Sequence, residues 1–482
     1  MTAPSSDPAP HAPGTPPPGC PAHAGGQPVG RRLYTEDAIR NPRAVYEELR
    51  EQHGAVAPVL LHGDLPAWLV LGYRENLKAL QTPSVFSRDS RYWRDMEEGR
   101  VPSDHPLIPI TAWQPLCVFV DGEKHRRLRG AVTESLDAFE SRGIRLHVTQ
   151  HTDRLVDEFA EAGQADLVGQ FAAQLPLRVM TQLYGMSDEH GGEYGPAFIE
   201  AVQDALRGTA TSAASNDFVT RTLDDLVARK QDTPAHDLPS MLLAHPAGLS
   251  TDEVREHLRL ILTAANETTV NLLANTLHMV LTDSRFRADL AGGHMTLPDG
   301  LEQVMWDEPP MMTLLGRWAA RDTALGEQRI RAGDLLLLGL AAGNVDSAVR
   351  DEDTPVIGNR SHLAFSRGPH ECPGQQIARA IAESAIDALL RRLPDLRLAV
   401  PEEELRWSSA LMYRNLAALP VEFSPVSRKL PVLDADAAGT LRAKLPSAVA
   451  AAPAAQGPGA GAGGPAAGRK RAPWWKPWAH QS

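Results

Sequence analysis

Cys372 stands in the run HLAFSRGPHECPGQQIARA, residues 362–380, and its neighbours are the types that a metal-bound thiolate requires. Such a cysteine must sit on a tight loop, lead straight into a helix and be kept from water and oxidants. Gly368 can take a positive φ for the turn, Gly374 allows close backbone approach, Pro373 suits the first position of the helix that follows, and Phe365 can pack against the loop. An isolated buried cysteine is ordinarily structural. The weight therefore rests on the spacing Phe-x-x-Gly-x-x-x-Cys-x-Gly. A second group lies in AANETTVNLLANTL, where Glu267 and Thr268 interrupt an otherwise apolar stretch. An acid beside a hydroxyl suits proton delivery into a dry pocket, although Asn266, Glu267 and Thr268 could also form a solvated helix face. A third group is cationic: His125 and Arg129 are four residues apart in EKHRRLRG and share a helix face. Buried anions need such partners, but each of these residues alone is ordinarily a surface cation.

The elements that must position these groups are mostly helical. Leu258, Ile261, Leu262, Ala265, Leu272, Leu273 and Leu277 recur at three- and four-residue steps and predict one long core helix from Thr251 to Leu281. Arg259, Asn266, Glu267, Asn271 and His278 within it argue against a membrane span. Further helices are predicted over EDAIRNPRAVYEELREQ, EKHRRLRGAVTESL, HVTQHTDRLVDEFAEAG and QQIARAIAESAIDALLRRL. The runs AWLVLGY, QRIRAGDLLLLG and LPVEFSP read as strands, so the class is mainly α with minor β.

Composition bounds the rest. With 43% hydrophobic and 22% charged residues, the 482-residue chain can build a large core. A net charge of -12 without a basic stripe in the body opposes a nucleic-acid role. The 3 cysteines, at 20, 117 and 372, form neither a disulfide framework nor a zinc motif, which fits a cytoplasmic protein. Residues 1–30 are rich in Pro and Gly, lack a signal-peptide stretch and are expected to be disordered. Residues 31–428 read as one domain, and residues 429–482 as an Ala/Gly/Pro linker ending in RKRAPWWKPWAHQS. That basic, Trp-rich end suits a membrane interface or an anionic partner as well as it suits an inert tail.

Taken in order, these motifs resemble the cytochrome P-450 family across most of residues 31–428. The cysteine run is similar to the family's ligand loop, and AANETT is similar to its oxygen-activation segment, with Ala265 where Gly is common. The resemblance implies the cytochrome P-450 fold, haem b held between the long central helix and the cysteine loop, and Cys372 as the axial ligand. It implies Glu267 and Thr268 as a proton relay, His125, Arg129, Arg317 and His370 as partners of the haem propionates, and Phe365 and Gly374 as loop residues against the haem. The implied reaction inserts one oxygen atom of dioxygen into a small to medium apolar organic substrate, with electrons from a ferredoxin and a ferredoxin reductase. Lys124, Arg126 and Arg127 could dock that ferredoxin. Residues 91–113, Met311, Met312, Leu314, Leu411 and Met412 would line the substrate side. A haem protein that is a sensor or partner rather than a monooxygenase, and a peroxide-driven haem enzyme, are the alternatives.

One departure bears on stability. The family has a Glu and an Arg three residues apart in GLEQVMWDEPP, whereas here Glu302 is followed at that spacing by Met305 and then Trp306. The usual Pro-x-Arg-Phe element downstream is also lacking. The expectation is replacement: Trp306 packed in the old ion-pair site, and Glu302 paired with Arg350 or Arg360 or held by backbone N–H groups.

Overall fold

The computed structural model describes residues 30–186, 195–207, 211–350, 356 and 358–429, so the N-terminal extension and the C-terminal tail lie outside the described residues. The central helix runs Thr251–Thr282, one residue beyond its predicted end. Ser250 starts it with a capping box, its hydroxyl accepting from the Glu253 N–H while the Glu253 carboxylate accepts from the Ser250 N–H. The apolar stripe buries Leu258, Leu262, Leu272, Leu273 and Leu277 in a cluster shared with helices Ser141–Phe159, Leu175–Leu183 and Gln375–Arg392. The expected N-terminal helix is broken in two, Glu36–Arg40 and Pro42–His53. Pro42 cannot continue a helix from Arg40, and Asn41 instead caps the second one by accepting from the Ala44 N–H at 3.3 Å.

A six-stranded sheet flanks the helical mass, in the order Arg31–Arg32, Val56–Leu61, Leu65–Val70, Leu335–Leu338, Leu314–Ala319, Phe86–Ser87. Both faces are buried. Ala67, Leu69, Leu335 and Leu337 enter one cluster, while Trp68, Val70, Leu336 and Leu338 enter another, as alternation along a strand requires. The run QRIRAGDLLLLG is two strands in two sheets, because Gly333 at φ +83° turns the chain between Gln328–Ile330 and Leu335–Leu338. The strand Val56–Leu61 and the hairpin Trp407–Ala410/Tyr413–Leu416 were not foreseen. Among the described residues, no helix is long and apolar enough to cross a membrane.

Candidate active site

The cysteine loop is shaped by two left-handed residues, Ser366 at φ +62° and Gly368 at φ +77°. A Cβ on Gly368 would lie 2.7 Å from the Leu80 carbonyl oxygen, so glycine is required there on two counts. The Cys372 N–H donates to the Phe365 carbonyl at 2.8 Å and closes the loop. Phe365 is buried, with the Arg379 guanidinium 4.6 Å above its ring. The helix that follows begins at Gln375 with Gly374 as N-cap, so Pro373 precedes the cap and does not occupy the first helical position. A Cβ on Gly374 would be 4.0 Å from Cys372 Sγ, ordinary contact distance, so its protein neighbours alone do not demand glycine. Burial raises the Cys372 thiol pKa, opposed by the Gly374 N–H and by Arg129.

The central helix, buried along most of its length, has an accessible stretch at its middle: Thr263 and Ala264 are exposed, and Ala265, Glu267 and Thr268 are partly so. Ala265 and Cys372 border the same apolar cluster. Thr268 donates its hydroxyl to the Ala264 carbonyl at 2.9 Å. Burial raises the Glu267 pKa, against a hydrogen bond that its Oε1 accepts from Asn415. Two turns of helix on the same side, Asn271 and Asn275, donate to the Pro310 and Glu308 carbonyls at 3.2 and 2.9 Å and fix the segment after helix Leu297–Asp307.

The four cationic candidates gather beside the cysteine loop. The rings of His125 and His370 are 4.1 Å apart. Arg129, on the helix Gly122–Asp137, donates to the Glu371 carbonyl and to Thr133 Oγ1 at 3.1 Å. Arg317 is directed inward by a bulge: the pairing of Leu314–Ala319 with Leu335–Leu338 shifts between Leu315 and Arg317, around Gly316 at φ +95°. The Arg317 side chain is 0% exposed, and its Nε, Nη1 and Nη2 all lack a protein partner, as does the buried His125 Nε2. A guanidinium costs several kcal/mol to bury uncompensated. The cluster therefore suits an anionic group from outside the chain, and the propionates of haem b fit it. Burial and Arg129 push His125 down to about 4; burial, against the pull of Asp121, pushes His370 down to about 3.

Several functional neighbours went unread in the sequence. Asp121 occupies an N-cap position without capping; its carboxylate instead accepts from Ser87 Oγ at 2.6 Å, the Arg88 N–H at 2.9 Å and His370 Nε2 at 2.8 Å. Burial works against these bonds, yet they hold Asp121 down to about 2. Arg88 donates to the carbonyls of Leu315 and Gly316, both at 2.6 Å, and so braces the bulge. Its only sequence signal is a lone cation after a short apolar run.

Glu302 is buried, and the expected Arg360 is the weakest of its partners. Its chief partners are Arg379, whose Nε donates to Oε1 at 2.7 Å, and His362, whose Nε2 lies 2.9 Å from Oε2. Arg360 reaches it only at 3.5 Å, and Arg350 pairs with Asp307 at 2.8 Å instead. Burial opposes ionisation, but these partners hold Glu302 at about 2. Trp306 is buried, donates its indole N–H to the Asn359 carbonyl at 2.8 Å and stacks on Tyr73 with centroids 6.5 Å apart. It lies edge-on to His362 at 6.1 Å, beside the ion network of Glu302. The signal for Arg379 was its helical register: it is four residues from Gln375, whose Oε1 accepts from its Nη1 at 3.1 Å. The proposed substrate-side residues divide: Met312 packs with Leu411 and Met412 in one sheet cluster, and Met311 and Leu314 pack in the other.

No family model matches the chain. A cytochrome P450, 107B1, of Saccharopolyspora erythraea is 31% identical over 396 residues, covering 81% of this chain and 97% of that protein. The 6-deoxyerythronolide B hydroxylase of the same organism is 30% identical over 386 residues, 78% of this chain and 94% of that one. The solved structure of CYP154C4 from a Streptomyces species superimposes with a TM-score of 0.72 at 26% identity, over 82% of this chain and 98% of that chain. With relatives this similar along nearly their whole length, the chain belongs to the cytochrome P450 family of haem b monooxygenases.

Proposed function

We propose that this chain inserts one atom of dioxygen into a small to medium, largely apolar organic substrate, using electrons from a ferredoxin and ferredoxin reductase in the cytoplasm. The observation that carries the reading is the wholly buried, unpartnered Arg317 guanidinium beside the loop of Cys372. Haem bound there would supply dioxygen activation, and the Cys372 thiolate would hold its iron. Arg317 and His125 would hold the propionates with the atoms that no protein group engages; Arg129 and His370 would contribute what their bonds to Glu371 and Asp121 leave over. Phe365 and Gly374 shape the loop against the porphyrin face. Thr268 and Glu267 bring protons to the middle of the central helix. For the ferredoxin, exposed Lys124 and Arg126 are the docking cations, whereas Arg127 is tied to Glu253 and the Ala247 carbonyl.

A non-catalytic haem protein has two supports, the appended tail and the absent Glu-x-x-Arg pair. The second support weakens because Glu302 is fully partnered by His362 and Arg379. The test has two stages. The reduced carbon monoxide complex should show the thiolate-type Soret band, and turnover should follow with ferredoxin, reductase and NADPH. Turnover with peroxide alone would replace the redox partners, and a thiolate spectrum without turnover by either route would point to the sensor.

A further inference from the structure

We infer that Asn415, on the C-terminal hairpin, is a positioning residue that fixes which oxygen of Glu267 carries the proton. The inference rests on the proton-delivery reading of Glu267. Asn415 lies 148 residues from Glu267 in sequence and reaches it because the hairpin Trp407–Ala410/Tyr413–Leu416 packs beside the central helix.

The argument is one of hydrogen-bond polarity. The Pro310 carbonyl can only accept, so the Asn271 group facing it at 3.2 Å must be its NH2. That same NH2 donates to Asn415 at 2.7 Å, so the Asn415 oxygen faces Asn271. The Asn415 NH2 is then left to face Glu267, where it donates to Oε1. A chain anchored on a carbonyl thus removes the usual ambiguity of amide orientation. Glu267 Oε1 accepts whether the carboxyl is ionised or neutral, and the exchangeable proton belongs on Oε2. Asn415 can hold the carboxyl through both halves of a proton transfer without taking part in it, since an amide neither gains nor loses a proton near neutral pH.

Infrared difference spectra of the haem-loaded protein, wild type minus Glu267→Gln, isolate the Glu267 carboxyl band, and its pH titration gives the apparent pKa. In Asn415→Asp a carboxylate replaces the donor, so Glu267 must be protonated to bond it, and the titration should move up by a unit or more. In Asn415→Leu the band should shift because Oε1 loses its donor. Combining Glu267→Gln with Asn415→Asp restores a donor–acceptor pair of reversed polarity. That double variant should recover the haem content and Tm lost in Asn415→Asp, but not its coupling of NADPH use to product. A Glu267 band and titration unchanged in both Asn415→Asp and Asn415→Leu would overturn the inference. The proton-delivery reading fails separately, if Glu267→Gln turns over with undiminished coupling; Asn415 would then hold a carboxyl with no part in the reaction.

Discussion

At Arg317 the fold accepts a cost that only a ligand relieves. Its guanidinium is buried, and its pKa is driven well down by burial and by Arg88, with Asp121 only partly offsetting them. A buried charge without a full partner carries a desolvation cost of several kcal/mol that an apolar side chain does not. Arg317→Leu should therefore stabilise the haem-free protein while weakening haem retention, two effects of opposite sign. Urea denaturation of the haem-free protein and haem transfer to an acceptor globin measure them, and loss of stability in the haem-free protein would sink the argument. Cys372→Ala should retain a folded core but lose the thiolate-type carbon monoxide spectrum; an unchanged spectrum would move suspicion to Cys117, the other described free cysteine. Thr268→Ala removes a hydroxyl that donates only to a helix carbonyl, so folding should survive while reducing equivalents are diverted to peroxide. Coupling equal to wild type would place the relay elsewhere. The chemically distinctive residues were readable because metal ligands and buried charges need particular atoms at particular spacings. Asp121, Arg88 and Asn415 were not, because their partners come from remote parts of the chain and no local pattern marks them.

At the scale of elements, the sequence is most legible where one periodicity persists. The central helix was read to within one residue of its end because apolar residues recur along it at three- and four-residue steps. Short strands were poorly read: both faces of the sheet are buried, so Val56–Leu61 shows no polar alternation. The helix Leu297–Asp307 illustrates what a family pattern alone misses. Its expected arginine is absent, but the buried carboxylate of Glu302 is served by His362, at the start of the cysteine run, and by Arg379, on the helix Gln375–Arg392. Met305 is 0% exposed, and its carbonyl accepts from Asn344 Nδ2 at 2.9 Å. A second guanidinium at this position would find Glu302 already paired with Arg379 and His362. Met305→Arg should lower both haem content and Tm, and Trp306→Arg should do likewise by breaking the bond to Asn359. Gains in both measures for either variant would show that the family arginine is still wanted. Glu302→Gln should also cost about 3–5 kcal/mol, because it leaves Arg379 buried beside a neutral group.

The whole molecule is tied together across distant sequence, and that gives it a pH response. Helix Ser141–Phe159 packs on Gln375–Arg392 through Arg392, which pairs with Asp153 at 3.2 Å and Asp157 at 2.6 Å. Lys429, the last described residue, joins the same acids, its N–H donating to Asp157 at 2.9 Å and its Nζ to Asp153 at 2.7 Å. Within that helix, burial and the nearby Arg154 push His151 down to about 4 from 6.5, and its buried Nδ1 has no partner. His125 and His370 are depressed too, but they lie at the proposed propionate site; burial also lowers His257, His278 and His362, and compared with these three His151 is the one with a pKa as low as about 4. A histidine whose folded pKa is lowered stays neutral in the native state while the unfolded chain takes up a proton. The native state is therefore at full advantage above about pH 6.5, loses it as the pH falls from 6.5 towards 4, and loses no more below that. At 1.36 kcal/mol per unit the loss is at most on the order of 3 kcal/mol, reduced by whatever water reaches the ring. Urea midpoints at pH 7.5 and pH 4.5 should differ for the wild type, and His151→Gln should narrow the difference, since glutamine does not titrate. An identical difference in the variant would mean that the acid sensitivity of the fold arises at other groups.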